Sequence, residues 1–138
     1  MRRALALVVA ASALAFAGAA AAEHWTKYVD VADNPGAAWS YDADYSYKDS
    51  QTGRLVVMQA ISKGQFGPGA PGKADGVGNV YAIDCAKKNV IQLGSYKPSA
   101  PLAIKSNWRS DTPKKMDGAE DMALIAAVCP HIDHVPVK

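Results

Sequence analysis

Two cysteines behind an export signal constrain this chain more than any other feature it carries. Met1-Arg2-Arg3 supplies a positive n-region, Ala4 to Ala17 is an uncharged apolar run, and Ala20-Ala21-Ala22 offers a small-residue cleavage site before Glu23. The run is too short and too alanine-rich for a transmembrane helix. Residues 1–22 are therefore expected to be a removed signal peptide, and 23–138 a single exported domain with no membrane-spanning segment of its own. Cys85 and Cys129 are the only cysteines. In an oxidising compartment an even count reads as one disulfide, with two free thiols as the alternative. Such a bridge contributes about 4 kcal/mol by the chain-entropy argument. It also withdraws both sulfurs from nucleophilic and metal chemistry. No cysteine stands at the cleavage junction, so no lipid anchor is expected there.

Charge narrows the partners. Without Arg2 and Arg3, the 15 Lys+Arg fall to the same number as the 13 Asp+Glu, leaving the exported domain near neutral. Lys87-Lys88 and Lys114-Lys115 read as isolated pairs, far short of a nucleic-acid footprint.

The pattern along the chain is strand-rich until its last quarter. Tyr41-Asp42-Ala43-Asp44-Tyr45-Ser46-Tyr47 alternates at period two and predicts a half-buried strand. Gln51-Thr52-Gly53 reads as a turn. Arg54 to Ser62 is apolar on both faces, as a covered central strand would be. Residues 63–78 shift to glycine, proline and small polar residues and predict a long loop. Asn79–Cys85 and Asn89–Tyr96 predict a hairpin around Ala86-Lys87-Lys88, and alternation over Leu102–Trp108 predicts one more strand. Asp117 with Glu120 suggests a capping box for a helix whose face is Met122, Ile125, Ala126 and Cys129, stopped by Pro130. Strands followed by one helix predict an α+β domain: an antiparallel sheet, a C-terminal helix packed on one face, one disulfide, and a short tail over 131–138.

Chemical motifs are few. Gly67 to Lys73 matches GxxxxGK, but Ala74 stands where the phosphate-binding loop needs a hydroxyl, and Gly76 and Gly78 oppose the helix that should follow. No nucleotide or other cofactor is expected. Asp42 and Asp44 share one face of the predicted strand and read as a solvated pair rather than an acid–base couple. His24, His131 and His134 are the only histidines, so a Ser-His-Asp arrangement would need a terminus, and no GxSxG occurs. The expectation is a protein that is not an enzyme. His131 and His134 are the weak candidates for a metal site, on a tail expected to be mobile after Pro130. Tyr41, Tyr45, Tyr47, Trp25, Trp39 and Trp108 are expected mainly as core.

The order of these features resembles the surface-adhesin protein E family of Gram-negative bacteria across about residues 23–130. The resemblance rests on Trp25 before a strand, Tyr41-Asp42-x-Asp44-x-Ser46 and a strand begun by Arg54. Asp84-Cys85, Trp108 and a helix ending in Cys129 complete it. It implies an antiparallel sheet with a disulfide-held C-terminal helix. For the namesake it also implies binding to matrix and serum proteins such as vitronectin, laminin and plasminogen. The expected function is thus an exported, adhesin-like protein-binding module, periplasmic or at the cell surface, whose partner is an extracellular or envelope protein and whose contacts include Lys87 and Lys88. The alternative is a periplasmic small-molecule or metal-binding protein.

Overall fold

A computed structural model describes residues 24–62, 76–97 and 100–138. The expected signal segment and the GxxxxGK stretch lie outside these described residues. The strands are β1 (Trp25–Asp30), β2 (Ala38–Asp42), β3 (Tyr47–Lys48), β4 (Leu55–Ser62), β5 (Gly78–Asp84), β6 (Asn89–Tyr96) and β7 (Lys114–Lys115). One helix, α1 (Ala119–Val128), follows them. All pairings between the strands are antiparallel, in the order β1-β2-β4-β5-β6-β7, with β3 also paired to β4. The α+β reading holds: an antiparallel sheet, one C-terminal helix on it, and a Cys85–Cys129 disulfide with the Cα atoms 5.9 Å apart.

β4 is the central strand its composition predicts. Leu55 and Val57 join Ile83 under the helix residues Leu124, Ile125 and Val128, while Val56, Met58 and Ala60 join Val80, Ala82, Ile91 and Leu93 on the opposite face. Trp25 from β1 meets Tyr96 from β6 there, with ring centroids 5.3 Å apart. A flat sheet would separate those strands by roughly 19 Å, so the sheet curls around its second core, and Trp108 closes it.

Several local expectations give way. The Tyr41–Tyr47 alternation is not one strand. The Asp42 carboxylate turns back to accept from the backbone N–H groups of His24 and Asp44, both at 3.0 Å, which stops β2 and starts a turn. Asp42 is consequently buried and Asp44 exposed, so the two form no solvated pair. Leu102–Trp108 forms no strand. Leu102 and Ile104 are exposed, Lys105 N–H donates to Leu93 O, and the strand partner of β6 is Lys114–Lys115. The helix begins after Gly118 with no side-chain cap, so the Asp117 capping box is absent. Its buried face is Leu124, Ile125 and Val128, with Met122 and Ala126 exposed. Pro130 does end it, within a short 3-10 turn over Cys129–His131. β5 starts at Gly78, inside the predicted loop, where the absence of a side chain lets the strand approach the Gln59 carbonyl across the ladder.

The tail after Pro130 is docked rather than mobile. Lys48 N–H donates to Pro136 O at 2.8 Å, Lys138 N–H returns to Lys48 O at 2.9 Å, and Val137 bridges Lys48 in parallel.

Candidate functional site

The β5–β6 turn is fixed from inside and from both flanks. The Asp84 carboxylate accepts from the N–H groups of Ala86 at 3.0 Å and Lys87 at 2.9 Å, and Lys88 N–H donates to Asp84 O at 2.8 Å. Lys88 takes a left-handed conformation (φ 56°), a local cost that these bonds offset. On one flank Cys85 is tied to the end of α1 by the disulfide. On the other, Met116 N–H donates to Lys88 O at 2.9 Å, and its side chain is buried in the core beneath the helix.

The register of β7 then changes the charge picture. Lys115 pairs with Asn89 and Lys114 with Val90, so Lys87, Lys88, Lys114 and Lys115 gather at one end of the sheet. All four are exposed. Among the described residues no salt bridge engages any of them. What reads in sequence as two isolated pairs is brought together as a lysine ledge at a braced turn, bordering a cleft that Asp111 and Asp121 also line. The signal that joins them is a two-residue strand, too short to stand out in the sequence.

His131 and His134 also come together. His134 N–H donates to His131 O at 2.8 Å, and both side chains border a cleft of about 230 Å³ walled by Tyr41, Leu55, Val128 and Val135. No group of three or more His, Cys, Asp or Glu suited to a metal occurs among the described residues. Two imidazoles alone fall short of the three or four ligands a firm site uses.

The perturbed carboxylates act in structure. Burial pushes the Asp42 carboxyl up against the pull of its backbone donors. Asp49, fully buried, is instead held at about 2 by Arg109, whose Nε donates to Oδ2 at 3.0 Å. Five of the six aromatic residues expected as core divide between the two cores, and Trp39, half-buried, belongs to neither. Trp25, Trp108, Tyr45 and Tyr47 belong to the curled face, where burial pushes the Tyr45 hydroxyl up to about 12. Tyr41 lies under the helix. No family model, curated protein or solved structure matches this chain.

Proposed function

We propose that this chain is an exported, non-enzymatic, adhesin-like protein-binding module that grips an acidic segment of an extracellular or envelope protein through the Lys87/Lys88/Lys114/Lys115 ledge. The observation that carries this reading is the convergence of two lysine pairs on a braced turn, none of them ion-paired within the described domain. A contact surface already held in place loses little conformational entropy when a partner docks. Unpaired cations steer an acidic partner and set its register. Four lysines suit an acidic peptide stretch better than the long stripe that tracks a nucleic-acid backbone. The resemblance to surface-adhesin protein E supports the same class of partner.

The test is surface-plasmon-resonance binding to immobilised vitronectin, laminin and poly-glutamate. Binding to at least one is expected to weaken with added salt, as exposed charges are screened. Reversing all four lysines to glutamate should weaken it by tenfold or more, on the order of 1.4 kcal/mol, with unchanged circular dichroism. A His131→Ala/His134→Ala variant should bind like the wild type. Equal binding by the charge-reversed protein, or none by the wild type, rejects the ledge. Loss of binding in the histidine variant alone would favour the cleft and the small-molecule reading. Protease digestion of intact cells separates surface display from a periplasmic location.

A further inference from the structure

A second feature lies under the first turn of α1, where Tyr81 and Asp121 also border the cleft lined by Lys114 and Lys115. Tyr28 from β1, Trp39 from β2 and Tyr81 from β5 line a cavity of about 90 Å³, with Glu120 and Asp121 of the helix beside them. These two carboxylates are half-buried, on the side of the helix that carries the core residue Leu124. Acidic residues in a first helical turn are favoured by the helix dipole wherever they point. That effect does not account for their lining one cavity with three aromatic residues. Among the described residues no salt bridge supplies a counter-cation to either.

The aromatic floor has its own unmet need. Trp39 Nε1 is buried and has no hydrogen-bond acceptor. The Tyr28 hydroxyl accepts from Gln59 Nε2 at 3.1 Å, which fixes that ring against the cavity. Burial raises the Tyr28 hydroxyl most, against the Gln59 hydrogen bond, with Tyr81 and then Glu120 and Asp121 adding to it; Tyr81 is raised by burial and then by Asp121. Both phenols therefore stay neutral and add no negative charge of their own.

Aromatic faces backed by carboxylates recognise ammonium groups: the ring quadrupoles attract the cation and the carboxylates balance its charge. A cavity of this size suits an ammonium head of a few carbons. We propose that Tyr28, Trp39, Tyr81, Glu120 and Asp121 form a binding site for a small alkylammonium ligand. The ammonium sits against the rings with the two carboxylates beside it.

Choline, tetramethylammonium and 3,3-dimethylbutan-1-ol, the uncharged isostere of choline, separate the contributions by calorimetric titration of the whole exported chain. Choline and tetramethylammonium are each expected to bind with Kd of about 1 mM or tighter, and the isostere at least tenfold more weakly. A Glu120→Gln/Asp121→Asn variant keeps the shape of the site and should lose about tenfold in choline affinity. Its melting temperature controls for folding. Phosphocholine distinguishes the source: binding of both compounds assigns the site to a head group, and binding of choline alone to the free amino alcohol. Absence of choline binding, equal binding of the isostere, or an unchanged affinity in the carboxamide variant overturns the proposal. None of these results depends on partner capture by the lysines.

Discussion

Asp49 shows how much one side chain can organise here. It is wholly buried, and its carboxylate accepts from Arg109 Nε and a second Arg109 nitrogen, from Thr52 N–H at 3.0 Å and from Thr52 Oγ1 at 2.7 Å. That is close to all a carboxylate can accept. The Arg109 guanidinium also lies 4.7 Å from the centroid of the Trp108 ring, so the clasp holds the lid of the curled core. Because the carboxyl is held at about 2, below the usual value of about 4 for an unfolded chain, the linkage has a definite sign. Its stabilisation is complete above pH of about 4 and is lost as pH falls toward 2. Thermal melts from pH 6 down to pH 2 should show a steep acid loss in the wild type. Asp49→Asn should lower the melting temperature by several degrees at pH 6 and flatten that acid limb. Equal acid slopes would refute the assignment. None of this clasp was legible in sequence, since Arg109 lies 60 positions from Asp49 and neither stands in a motif.

Among the elements, the last residues of the chain carry more than their sequence suggests. Residues 136–138 run along β3 and engage the backbone of Lys48 and Ser50, including Ser50 N–H to the Lys138 oxygen at 3.0 Å. β3 is only two residues long and pairs on its other side with Leu55 and Val56. The tail therefore completes a strand too short to stand alone. Deleting residues 136–138 should abolish slow hydrogen exchange at the Lys48 and Ser50 amides and leave protection in β5 and β6 intact. Protection that persists at Lys48 would show that the tail contributes nothing. The helix teaches a related lesson. Its span and its stop at Pro130 were readable, but its face was not: AEDMALIAAV is apolar on nearly every side, so period alone could not choose Leu124 and Val128 over Met122 and Ala126. The Tyr41–Tyr47 alternation misled for a different reason. A side-chain carboxylate competed with the ladder and won.

For the whole molecule, the disulfide joins the hairpin that bears the lysine ledge to the end of the only helix among the described residues. Cys129→Ser should cost about 4 kcal/mol and make the melting temperature indifferent to reductant, while the wild type should lose stability when reduced. A wild type unmoved by reductant in denaturant would contradict the bridge. The amino-acid sequence determined the α+β class, the central strand, the hairpin and the pairing of the two cysteines. These follow from local periodicity, turn residues and an even cysteine count, all of which act over a few positions or by elimination. Only the tertiary structure decided which lysines meet, which carboxylate is buried, where the tail lies and which aromatic residues share a cavity with Glu120 and Asp121. Those outcomes depend on strand register, sheet curl and the angle at which the helix docks. Such quantities are fixed by the joint packing of residues far apart in the chain, and no single segment encodes them.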